Sequence, residues 1–176
     1  MNDVPAKIIF EAIQPRYPEF KDQVAIVTGS GRGIGRGIAI RLAREGMKIV
    51  VHGLDPEEVA KTHAELTELG VDAIAVASDL RNSQGVNRIF DETISAFGSF
   101  SLLVNNAAEM KAMAFFDVDE TKLDSQLATN IRAPYLCTYR AAEFMRDKGG
   151  GNIINISSVG GLRAHWKGLP LSLIHI

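Results

Sequence analysis

The chain has 176 residues, 46% hydrophobic and 23% charged, with a formal net charge of -2. That suffices for one domain with a real core, and its scattered Lys and Arg residues supply none of the clustered positive charge that a nucleic-acid partner requires. A single cysteine, Cys137, excludes an intrachain disulfide, and no apolar run approaches the roughly 20 residues needed to cross a bilayer. The opening MNDVPAKIIFEAIQP lacks a signal-peptide h-region, so a cytoplasmic protein without membrane association is expected.

Residues 1–21 carry three of the six prolines and no clear periodicity, which reads as an arm ahead of a domain over 22–170. From Gln23 the pattern changes. VAIVT (24–28) is a β-branched apolar run; glycines follow, then IGRGIAIRLAREG, whose Ile34, Ile38 and Leu42 share one helix face. The unit recurs: KIVVH (48–52) before PEEVAKTHAELTELG, DAIAVA (72–77) before SQGVNRIFDETISAFG, and SLLVN (101–105) before a helix starting near Thr121. NIINIS (152–157) is a fifth strand, reached through a glycine turn at 149–151. Strands that are apolar on consecutive residues, each followed by an amphipathic helix, predict an α/β fold with a doubly wound parallel sheet covered on both faces.

The loop TGSGRGIG (28–35) stands where such a sheet binds dinucleotides, after the first strand and opening the first helix. Glycine suits that place because a Cβ would block both the tight turn and the approach of a pyrophosphate to the helix N-terminus. The spacing fits T-G-x-x-x-G-x-G, with Gly29, Gly33 and Gly35, and fails a Walker A loop because no Gly-Lys-Ser/Thr follows. Taken alone, the loop is equally well read as a turn joining strand to helix. Other residues carry similar pairs of readings. Asp79, in ASDLR, could bind a ligand at a strand end or cap the next helix. The asparagines of NNAA (105–108) are ordinary turn residues, and Ser157 and Ser158 could satisfy loose backbone groups after the last strand. Asn130 sits in a helical stretch that Pro134 makes irregular. His52, His63, His165 and His175 show no ligand spacing, so no metal site is expected, and Trp166 reads as a packing residue.

Together, TGSGRGIG, Asp79, NNAA, Asn130 and NIINISS (152–158) resemble, in order and spacing, the classical short-chain dehydrogenase/reductase family, from about Phe20 to Pro170. The resemblance implies a Rossmann-type sheet and an oxidoreductase that interconverts a carbonyl and an alcohol of a small-molecule substrate by hydride transfer. It implies a cofactor held by Gly29, Ser30, Arg32, Gly33, Ile34 and Gly35, by Asp79 and Leu80 at the adenine, and by Asn106 and Ala107. Ala108 departs from the glycine usual in the family. Ser158 would polarise the substrate oxygen, and Asn130 would distort its helix and hold a water for proton relay. A homo-oligomeric parent is also implied. For the cofactor, Gly53 stands where an acid would select NAD, and Arg32 stands where the family often pairs a base with the 2'-phosphate. NADP is therefore preferred, with NAD the alternative because Asp55 lies nearby.

The family's Tyr-x-x-x-Lys pair would fall at positions 171 and 175, which hold Leu171 and His175. The closing Leu-Ser-Leu-Ile-His-Ile (171–176) matches the translation of a transposon-end sequencing adapter. The expectation is an adapter artefact after Pro170, leaving a C-terminally truncated fragment without the catalytic acid/base. A catalytically silent dinucleotide-binding sensor or scaffold is the alternative reading.

Overall fold

The computed structural model describes residues 4–109 and 115–158; His165, Trp166, Leu171, His175 and the closing hexapeptide lie outside them. The apolar runs form parallel strands β1 (Val24–Val27), β2 (Lys48–Gly53), β3 (Ala73–Ala77), β4 (Leu102–Asn105) and β5 (Asn152–Asn155). Their order is β3-β2-β1-β4-β5. The chain thus winds outward from β1 through β2 to β3, then crosses to β4 and β5 on the other side. That reversal places a crevice beyond the carboxyl ends of β1 and β4.

Alternation along β1 divides the core. Val24 and Ile26 join one apolar cluster with Val50, Leu103, Ile89, Phe90 and Cys137, while Ala25 and Val27 join another with Ile49, Val51, Ile40, Val59 and Leu66. Each cluster is closed by helices. Those introduced in chain order are α1 (Ala6–Ala12), α2 (Gly33–Arg44), α3 (Pro56–Glu68), α4 (Ser83–Phe97), α5 (Glu120–Leu127) and α6 (Ala133–Arg146). The first cluster lies under α4 and α6, the second under α2 and α3. A sheet apolar on both faces can be buried only this way, which is the predicted doubly wound architecture.

Between α5 and α6 the backbone widens into a π-helical turn, Ala128–Arg132, in which the amide of Ala133 donates to the carbonyl of Ala128. Pro134 has no N–H to offer the carbonyl four residues back, that of Asn130. The irregularity expected from Pro134 therefore falls around Asn130.

The segment read from sequence as an arm contains α1 and lies on the domain. Ala6 is buried in the cluster beneath α2. Arg36 donates from Nη2 to the carbonyl of Val4 at 3.1 Å and from Nε to Glu65 at 2.8 Å. Arg44 donates to the carbonyl of Ile13 and lies over the ring of Phe10. The buried carboxylate of Glu45 accepts from the amides of Arg16 and Tyr17 and pairs with Arg41. A helix of seven residues between prolines has too few turns to show a period, and what holds it is distant side chains.

No helix among the described residues is long and apolar enough to cross a membrane. Cys137 is fully buried in α6, and burial pushes its thiol up to about 12. The folded chain at pH 8 should therefore resist maleimide labelling and become labelled in urea; rapid labelling without denaturant would contradict this packing.

Candidate functional site

A cavity of about 1070 Å3 opens at the carboxyl ends of the strands, lined by the glycine loop, the β2 and β3 ends, residues 106–109 and Thr129. Its floor is set by Thr28. The Thr28 hydroxyl donates to the carbonyl of Val104 at 3.3 Å and accepts from the amides of Asn106 and Ala107, each at 3.0 Å. One buried side chain thus joins the ends of β1 and β4. The Asn106 side-chain amide completes the joint by donating to the carbonyls of Thr28 and Gly29.

These contacts fix why the loop needs glycine at two places. Gly29 has φ +65, and a Cβ there would lie 2.8 Å from the Cα of Ala107. A Cβ on Gly35 would run into the Gly29 carbonyl and the Asn106 amide. Helix α2 then begins at Gly33 with Arg32 as its N-cap residue and no side chain accepting its first amides. Gly33, Ile34 and Gly35 line the cavity, so these donors and the positive end of the helix dipole are offered to it.

Ser30 and His52 hold the loop from behind. Ser30 is fully buried; its hydroxyl donates to the carbonyl of Val27 at 2.7 Å and accepts from the amide of His52 at 3.0 Å. Of the residues expected to hold a cofactor, Ser30 is thus turned inward, away from the cavity wall, and shapes the loop. His52 accepts from the amide of Gly29 at Nδ1, 3.3 Å away, which leaves the proton on Nε2 to be donated towards Ser78. Burial, partly offset by the Ser78 carbonyl and the Asp79 charge, lowers its pKa to about 4. His52 had no signal in the sequence, because its partners come from the ends of β1 and β3.

Asp79 and Leu80 follow β3 and line the cavity. Asp79 does not cap α4; Asn82 does, accepting from the amide of Gly85 at 2.8 Å. The Asp79 carboxylate is instead gripped by Arg81, at 2.7 Å from Nη2 and 3.0 Å from Nε and the amide, and these hydrogen bonds hold its pKa below the usual value. Arg81 also donates to the hydroxyl of Ser125, which donates to Glu109.

On the other side, Asn130 makes a two-point contact with the backbone of Glu109, accepting from its amide at 2.8 Å and donating to its carbonyl at 3.0 Å. The π-helical turn is thereby pinned to the segment after NNAA. Ala108, in that segment, lines the cavity and has no positive φ, so its extra methyl introduces no backbone strain. Asn105 is buried and donates to Thr138 at 3.1 Å and Asn155 at 2.8 Å, tying β4 to α6 and β5. Ser158 lies three residues past the end of β5, half-buried at the same edge of the sheet. Arg32 is exposed and pairs with Glu58 at 3.1 Å. Asp55, the nearby acid, is the N-cap of α3 and accepts from the amides of Glu57 and Glu58.

Residues 23–170 match the short chain dehydrogenase family. The chain belongs to the short-chain dehydrogenase family. Among curated relatives, an uncharacterised oxidoreductase of Thermotoga maritima is 37% identical over 136 residues, 77% of this chain and 53% of the relative. The 3-oxoacyl-[acyl-carrier-protein] reductase FabG of Staphylococcus aureus is 36% identical over 138 residues, 78% of this chain and 56% of FabG. The chain therefore spans about half the length of the curated relatives it matches. The structure of NAD+-bound xylitol dehydrogenase superposes with a TM-score of 0.83 at 26% identity, over 88% of this chain and 60% of that one. The short-chain dehydrogenase sheet and the crevice at its switch point are accordingly those expected from the motifs.

Burial of His52 should make the folded chain sensitive to acid. The unfolded chain takes up a proton near pH 6.5, whereas the folded chain resists until about pH 4. Stability present above pH 6.5 is lost as pH falls through that window, by on the order of 3 kcal/mol. Urea unfolding midpoints between pH 7.5 and 4.5 should show this decline, and His52→Gln should flatten it.

Proposed function

We propose that the parent of this chain is an NAD(P)-dependent oxidoreductase that interconverts a carbonyl and an alcohol of a small molecule, and that the described cavity holds the dinucleotide. The observation carrying this reading is the uncapped start of α2, opened to the cavity by glycines whose Cβ positions are already filled. An anionic pyrophosphate fits that donor set, because unpaired amides and a helix dipole favour negative charge. Gly29, Arg32, Gly33, Ile34 and Gly35 would hold the phosphates, with Ser30 supporting them from within. Asp79 and Leu80 would meet the adenine, and Asn106 and Ala107 would border the ribose side.

When bound, the dinucleotide supplies or accepts a hydride at its nicotinamide ring. Ser158 would donate a hydrogen bond to the substrate oxygen and fix its orientation, a role suited to a hydroxyl that both donates and accepts. Asn130 would act through its backbone: its side chain is engaged by Glu109, and Pro134 leaves its carbonyl without the usual helical donor, available to a water that relays protons. We further propose a cytoplasmic, homo-oligomeric parent, the oligomer being what the family resemblance implies.

NADP is the favoured cofactor. Gly53 ends β2 with no carboxylate, and a Cβ there would lie 2.8 Å from Cγ2 of Val59, which is itself buried, so an acid at this position would have to displace the core. Arg32 supplies a guanidinium in the neighbouring loop. A second reading, a dinucleotide-binding module without turnover, is favoured for this chain by Leu171 and His175 at the positions where tyrosine and lysine are expected.

Both readings require binding. Titration of the 176-residue chain with NADPH and NADH, followed by nucleotide fluorescence, should show saturable binding that Gly35→Ala weakens more than about tenfold, through the clash with Gly29 and Asn106. Carbonyl reduction by the same chain should be undetectable, since no tyrosine stands at position 171 to transfer the proton. Turnover at ordinary enzyme rates would contradict this assignment.

A further inference from the structure

The pairing of Arg32 with Glu58 bears on how the site distinguishes its two candidate cofactors, and the inference rests on the proposed dinucleotide site. Arg32 is the cation that a 2'-phosphate would seek, yet its Nη1 already lies 3.1 Å from Oε1 of Glu58. Both residues line the cavity, together with Asp55 and Glu57 at the start of α3. We infer that Glu58 is a specificity-determining residue: it competes with the 2'-phosphate for Arg32 and so holds down the preference for NADP over NAD.

The geometry fixes the Glu58 backbone beside the glycine loop. Its backbone is fixed by Asp55, whose Oδ1 accepts from the amides of Glu57 at 2.9 Å and Glu58 at 3.4 Å. The glycine loop packs directly against it, since a Cβ on Gly31 would lie 3.1 Å from the Glu58 carbonyl carbon. Thr62, one turn further along α3, donates to the Gly31 carbonyl at 2.8 Å and locks loop and helix together. A phosphate reaching Arg32 must therefore break the ion pair and come to rest near a carboxylate whose backbone is anchored to the same loop. A 2'-hydroxyl meets neither obstacle. Arg32 is exposed and Glu58 half-buried, with side chains 76% and 37% accessible, so the competition reduces NADP affinity without abolishing it.

Removing the carboxylate while keeping its shape tests the point. NADPH and NADH affinities of the full chain are measured for the wild type, Glu58→Gln, Arg32→Ala and the double variant, with circular dichroism to verify folding. Glu58→Gln should tighten NADPH about fourfold and change NADH less than about twofold, and the gain should disappear in the Arg32→Ala background. An unchanged NADPH-to-NADH ratio in folded Glu58→Gln overturns the inference, as does an equal gain with Arg32 absent, which would mean general charge repulsion. Failure of the wild type to bind either nucleotide overturns the dinucleotide site itself, and this inference with it.

Discussion

The site depends on one buried hydroxyl. Thr28 directly follows β1 and takes three backbone partners, the carbonyl of Val104 and the amides of Asn106 and Ala107. It thereby joins adjacent parallel strands beyond the point where their ladder stops, at the place where the winding of the sheet reverses. A neutral hydrogen bond contributes about 1 kcal/mol net, but a buried group left without its partner costs about 1–3 kcal/mol. The arrangement is consequently worth more as a constraint than as a sum of contacts. With Thr28 and Asn106 fixed, the Gly29 carbonyl is fixed, and the space left at Gly35 is too small for any side chain.

A second constraint comes from the opposite side. His52 and Ser30 bind each other's segments and the loop, and His52 reaches on to Ser78 at the end of β3. Three strand ends are thus tied to the glycine loop by neutral hydrogen bonds around a buried imidazole. A charged His52 would have to be desolvated there, which is why the same contact that orders the loop is vulnerable to acid. The proposed catalytic edge is organised in a comparable way: Asn130 clasps the Glu109 backbone, and the Asp79–Arg81–Ser125–Glu109 chain runs from the proposed adenine end to that clasp.

The strands and the doubly wound order were legible because burial on both faces writes itself as consecutive apolar residues, as in IVVH and LLVN. The glycine loop was legible because its spacing is a steric requirement. Asp79 at a strand end and Asn130 at an irregular helix were half-legible: each had a local structural reading beside a site reading, and the fold passes the cap of α4 from Asp79 to Asn82. Ser30 looked like a ligand residue from its place in the motif, but its hydroxyl is turned into the protein. His52 left no trace, since its importance lies in three partners separated by 22 to 26 positions. Helix α1 was hidden by its prolines and shortness, and is held by Arg36, Arg44 and Glu45 from elsewhere in the chain.

In the proposed site the loop after β1 is a preformed anion cradle whose backbone amides, rather than its side chains, receive the dinucleotide. An amide-resolved nitrogen–proton NMR titration of the chain with NADP+ tests it most directly. Large shifts are expected at the amides of Gly33, Ile34 and Gly35 and smaller ones near Asp79 and Ala107, with the Asn106 side-chain amide keeping its position and slow exchange. Shifts confined to exposed side chains, or a loop that reorganises so that Asn106 releases the Thr28 and Gly29 carbonyls, would contradict it.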